Sequence, residues 1–225
     1  MWDRWVVERV KMKNFKTILK SESSEIVEKK SKFISYIHYV ENEEMIEEIL
    51  KEYKKKYYDS RHICYAWRIM KDGQIAEKSN DDGEPSGTAG APMLNILKKN
   101  NLCNVLVLVI RYFGGILLGT GGLVRAYSEA TQKTIEKCEL KIMIYGIEME
   151  LKIDYQNLEF FKYYCKNNNI NVINIQYMED VMMKLQMEEH VKEKMIEEIV
   201  AKTLKIKEYR ILDKKYIEKN VEKYT

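Results

Sequence analysis

Val105-Leu106-Val107-Leu108-Val109-Ile110 runs without a break into Arg111-Tyr112-Phe113-Gly114-Gly115-Ile116-Leu117-Leu118-Gly119-Thr120-Gly121-Gly122-Leu123-Val124-Arg125-Ala126-Tyr127. The opening aliphatic run has no polar face, so it reads as a central strand buried on both sides. Such a strand needs helices around it. One is expected from about Gly122 to Lys137, after the glycine turns. Another is expected from about Ala91 to Lys99, with Pro92 in the first turn, where a missing N–H costs little.

Working outward, a strand over His62 to Met70 turns at Lys71-Asp72-Gly73 and returns over Gln74 to Lys78, because Asp-Gly is a strong hairpin signal. Before it, Met45, Ile46, Ile49, Leu50 and Tyr53 share one helical face, opposite Glu43, Glu44, Glu47 and Lys51. Lys54 to Lys56 close that helix where its dipole favours cations, and they read as a solvated end more readily than as a nucleic-acid contact. Alternation over Phe15 to Lys20, Ser24 to Glu28 and Lys32 to Val40 gives three strands.

From Gly146 the pattern resets. A strand through Ile147 to Ile153, a helix over Leu158 to Cys165, a hairpin of Ile170 to Tyr177 and Val181 to Met187, a helix over Val191 to Leu204 and a strand from Ile206 to about Ile217 spell β-α-β-β-α-β. That order is the ferredoxin-like split βαβ arrangement. The fold class is therefore α+β, with one domain over 12–144 and a second over 145–225. Residues 1–11 read as a mis-called upstream extension, with Met12 as the start.

The longest apolar run is far short of the roughly 20 residues a spanning helix needs, and no signal-peptide pattern opens the chain, so a cytoplasmic protein without a membrane partner is expected. Cys64, Cys103, Cys138 and Cys165 are scattered, without CxxC or a histidine pair, which argues against zinc and against a disulfide framework. Net charge is +3, from 38 basic and 35 acidic residues, so any nucleic-acid footprint has to be local. Nothing fixes an oligomeric state.

Eight of the ten glycines lie in two stretches, 79–90 and 111–127. Each precedes an expected helix, so backbone N–H groups and the helix dipole could converge there on an anion such as phosphate. Candidates for that role are Ser86, Gly87 and Thr88 in the first stretch, and Gly119, Thr120, Gly121 and Gly122 in the second. Arg111 and Arg125 add bidentate donors. A purely structural reading competes, since glycine also serves sharp turns and close packing, and Thr88 and Thr120 could cap the helices. Asp81, Asp82 and Glu84 form an acidic group that could hold magnesium or could simply serve a turn. His62 and Cys64 share a strand face, which permits a Cys-His pair, although a strand cysteine is usually packing. Neither a P-loop nor GxGxxG occurs, so no cofactor and no metal is expected.

Lys30-Ser31-Lys32-Phe33-Ile34, His62-x-Cys64-Tyr65-Ala66, the run from Asp81 to Gly90 and the run from Arg111 to Tyr127 together resemble the YigZ/IMPACT family. The resemblance implies an amino-terminal domain with the fold of the second domain of a ribosomal small-subunit protein, which GHMP kinases share, and a carboxyl-terminal domain similar to ferredoxin-like domains of elongation factor G. It also implies a link to translation, since eukaryotic relatives regulate initiation by interfering with activation of an initiation-factor kinase; those relatives carry an RWD domain ahead of the shared region, no RWD pattern occurs in these residues, and that partner is not carried over. Two functions follow as expectations. The first is a non-enzymatic protein binding ribosomal RNA, the ribosome or a translation factor, with Tyr177 and Tyr209 as aromatic candidates on the open face of the tail sheet. The second is an enzyme acting on a phosphorylated small molecule or nucleotide through the glycine-rich loops, against which stands the absence of the kinases' phosphate loop and of a positioned base.

Overall fold

Residues 14–71 and 73–219 are described by the computed structural model. The proposed extension at 1–11, the Met12 start and Asp72 of the hairpin turn lie outside the described residues.

The aliphatic run becomes β6 (Val105–Tyr112), the middle strand of a five-stranded sheet. Its neighbours are β3 (Ser31–Tyr39) and β4 (His62–Lys71), flanked in turn by β2 (Glu22–Glu28) and β5 (Gln74–Asn80). Every one of these pairings is antiparallel. A continuously apolar strand usually marks a parallel sheet; here the cause is cover on both faces. Val105, Val107 and Val109 join a core with Met93 and Leu97 of α2 (Gly90–Lys99) and Leu123, Tyr127 and Ala130 of α3 (Gly119–Glu136). Leu106, Leu108 and Ile110 face Ile46 and Tyr53 of α1 (Glu43–Lys56).

Local chemistry sets α1. Asn42 caps it, its Oδ1 accepting from Met45 N–H at 2.9 Å, with Glu43 and Glu44 at the positive end of the dipole and Lys54 to Lys56 at the negative end. Lys56 is not merely solvated. Its ammonium lies 5.3–5.5 Å from the ring centres of Tyr36, Tyr53 and Tyr57. Strand β1 (Phe15–Ile18) precedes β2, and Leu19 N–H donates to Glu139 O at 2.9 Å.

The chain divides into two units between Lys141 and Ile142, inside the strand β7 (Leu140–Ile153). In the second unit β7 pairs antiparallel with β9 (Val181–Glu188) and β10 (Glu208–Glu218), and β8 (Asn171–Tyr177) pairs with β9. Helices α4 (Leu158–Asn167) and α5 (Glu189–Val200) supply Phe161, Cys165 and Met195 to a core with Met149, Leu151, Met183 and Leu185. The opposite face is charged: buried Glu148 meets Lys215 at 2.5 Å, Gln186 at 2.8 Å and Lys184 at 3.4 Å. Tyr177 and Tyr209 do not belong to that face. They stand opposite the core residues Val181 and Leu151, and cross-strand partners share a side of the sheet, so both tyrosines lie on the helix-bearing side. Among the described residues no helix is long and apolar enough to cross a membrane.

Candidate functional site

Both glycine-rich stretches contribute to one cleft of about 400 Å³ in the first unit, lined among others by His62, Glu84, Arg111, Phe113, Gly119 and Thr120. They use their amides differently.

In the first stretch the chain supplies its own anion. Asp81 Oδ1 accepts from the amides of Ala89 at 3.0 Å and Gly90 at 2.8 Å, and its Oδ2 accepts from Gly87 at 2.8 Å. Burial opposes ionisation, yet those three donors hold the Asp81 carboxyl below the usual carboxylate range. Asp81 is thus the cap of α2, placed nine residues ahead of its first turn. Gly90 has to be glycine for a related reason: a Cβ there would stand 2.7 Å from Asn80 N. The expected cap, Thr88, instead donates its hydroxyl to Pro85 O at 2.6 Å. Ser86 and Gly87 are exposed, but the Gly87 amide is already taken.

The acidic group does not converge on a metal. Asp82 Oδ2 accepts from Ile63 N–H at 2.7 Å, and Glu84 Oε1 accepts from Arg111 Nη1 at 2.6 Å and Tyr127 O–H at 2.9 Å. With Asp81 bound to the α2 amides, the three carboxylates point to three separate sets of partners. Among the described residues no group of three His, Cys, Asp or Glu is placed to hold a metal ion.

Glu84 pairs with Arg111 and Tyr127 of the second stretch, but among the described residues no side-chain carboxylate caps the first-turn amides of α3. Helix α3 starts at Gly119, three residues before the expected Gly122, so Gly119, Thr120, Gly121 and Gly122 form its first turn rather than a preceding loop. Leu118 makes no side-chain cap, the first turn carries no acidic residue, and Thr120 sits within the helix and does not cap it. Arg111 lines the cleft, 7% exposed, packed near the rings of Phe33 and Phe113 at 5.5 and 5.7 Å, and its Nε has no acceptor. The pairing with Glu84 corrects the expectation of Arg111 as a bidentate donor to a ligand: one of its nitrogens is committed inside the protein. Arg125 is exposed on α3 and reaches back over the first turn, its Nη1 3.7 Å from where a Gly121 Cβ would be.

His62 and Cys64 make no catalytic pair. His62 Nδ1 binds Asp82 O at 2.7 Å, whereas fully buried Cys64 has its Sγ 2.9 Å from Asp81 O and 3.3 Å from Tyr127 Oη. Burial pushes the Cys64 thiol up to about 12, far from a thiolate at neutral pH. Sequence reasoning missed Arg61 and the apolar rim of Phe113 and Leu117, 44% and 82% exposed, which also line the cleft. Nothing in their spacing separates them from ordinary strand-end and turn residues.

Residues 29–135, which contain every cleft residue, match the family model described as the Impact N-terminal domain, and 151–203 match Domain of unknown function (DUF1949). The IMPACT family member YvyE of Bacillus subtilis is 37% identical over 176 residues, 77% of this chain and 79% of that relative. The chain belongs to the IMPACT family. A second IMPACT member, YigZ of Escherichia coli, is 32% identical over 158 residues, 70% of this chain and 78% of its own length. A solved structure described as a hypothetical protein superimposes with a TM-score of 0.56 at 25% identity, covering 89% of this chain and 97% of that one. For an IMPACT protein of this two-unit kind, the cleft beside α3 is the candidate site.

Proposed function

We propose that this IMPACT protein is a non-enzymatic binding protein of the cytoplasm that regulates translation, engaging ribosomal RNA, the ribosome or a translation factor through an anion site at the start of α3. The observation that carries the reading is the unequal treatment of two glycine turns: Asp81 fills the first, while the second opens on the cleft with no carboxylate cap, beside Arg111 and Arg61. Uncapped helix amides with adjacent guanidinium groups favour an anionic ligand. Membership of a family whose eukaryotic branch acts on translation initiation supports the process. On this reading the first unit has the ribosomal-protein-like, GHMP-kinase-related fold and the second is ferredoxin-like, the latter supported by its strand order β10-β7-β9-β8 with two helices.

Ribosome co-sedimentation in a salt series tests this. Association should weaken steeply as salt rises, and Arg61→Ala and Arg125→Ala should each lower the logarithmic salt slope by about 1. Absence of the protein from every ribosomal fraction at low salt would overturn it.

The reading as an enzyme on a phosphorylated small molecule or nucleotide keeps one supporting observation, the His62 ring that lines the cleft and is fixed by Asp82 O. A screen of nucleotides and sugar phosphates by thermal shift separates the two, because a bound substrate at millimolar concentration has to raise stability.

A further inference from the structure

His62 opens β4, and its two ring nitrogens meet different surroundings. Nδ1 lies 2.7 Å from the carbonyl oxygen of Asp82. A carbonyl only accepts, so Nδ1 carries the hydrogen, and in the neutral ring the lone pair sits on Nε2. Nε2 faces Glu84 Oε1 at 3.9 Å, too far for a hydrogen bond. That oxygen already accepts from Arg111 Nη1 and Tyr127 O–H. Among the described residues no donor pairs with Nε2, and His62 lines the same cleft as Gly119 and Thr120 of the uncapped first turn of α3. Arg111 lines the same space, more than nine-tenths buried, with Nε lacking an acceptor.

An anion subsite and a lone hydroxyl acceptor in one small cleft define a ligand chemistry. We infer that the cleft recognises the ribose-phosphate unit of RNA, the phosphate lying against the first-turn amides of α3 and the 2′-hydroxyl donating to His62 Nε2. The inference rests on the anion reading above and adds the sugar. DNA offers the same phosphate but no donor for Nε2, so the site distinguishes the two nucleic acids at the sugar rather than the base.

The test is fluorescence anisotropy of the full chain with a short oligouridylate and the oligodeoxyuridylate of the same length. His62→Asn is the informative variant, because an asparagine amide keeps the donor to Asp82 O and removes Nε2. Wild type should bind RNA about five- to tenfold more tightly than DNA, the value of one hydrogen bond. His62→Asn should erase that ratio and leave DNA affinity unchanged, and Thr120→Asp, which puts a carboxylate at the α3 turn, should weaken both. Equal affinities in wild type with Thr120→Asp still weakening both, or a preference that survives His62→Asn, would overturn the ribose inference alone. No binding of either oligonucleotide at low salt would overturn it together with the anion reading.

Discussion

Replacing Glu84 by leucine removes the counter-charge of Arg111 inside the protein. The pair is 2.6 Å long with side chains 3% and 8% exposed, and Glu84 Oε1 also accepts from Tyr127. An uncompensated buried guanidinium left behind by such a change costs about 3–5 kcal/mol. With a urea dependence of about 2 kcal/mol per molar, the midpoint of the first unit should fall by about 2 M. Changing both partners, Glu84→Leu with Arg111→Met, should recover most of the loss, because an apolar pair of similar volume needs no charge compensation. The assay is urea unfolding followed by Trp67 fluorescence, which reports β4 of this unit once Trp2 and Trp5 are replaced by phenylalanine. A loss below about 1 kcal/mol in Glu84→Leu, or a double variant no more stable than the single one, refutes the account of Arg111 as a paired interior charge. The folded double variant then serves a second purpose: if the free donors of Arg111 act on ligand, it should be stable and yet impaired in RNA binding.

Asp81→Ala strips three amides of their acceptor and should cost about 2 kcal/mol, with faster hydrogen exchange at Ala89 and Gly90. Because the native carboxyl is held below its unfolded value of about 3.9, its stabilisation is complete above that pH and is lost as pH falls through the depressed native value; acid unfolding curves of wild type and Asp81→Ala should converge there. Gly114→Ala places a Cβ 2.0 Å from the Lys30 carbonyl carbon and should destabilise by about 3 kcal/mol, whereas Gly115→Ala meets open space and pays only for its φ of +83°, about 1 kcal/mol, both measurable by urea titration. Cys64 should resist thiol reagents in the native protein at pH 8 and react on unfolding, read by reagent titration with and without denaturant.

The sequence by itself determined the strands and helices where apolar residues repeat at strand or helix spacing, above all β6, α1 and the β-α-β-β-α-β order after Gly146, because periodicity of burial is a local property of the chain. It also determined the family, since the motifs at 81–90 and 111–127 are contiguous. Tertiary structure decided which glycine turn is filled and which is open, for Asp81 reaches its amides across a loop whose path no spacing reveals. It decided that Arg111, 27 residues from Glu84, is half consumed by it, and that Tyr177 and Tyr209 lie on the helix-bearing side of their sheet, a matter of register. The physical reason is the same in each case: a hydrogen bond or an ion pair depends on distances of a few ångströms between residues far apart in sequence, and only the folded backbone sets those distances.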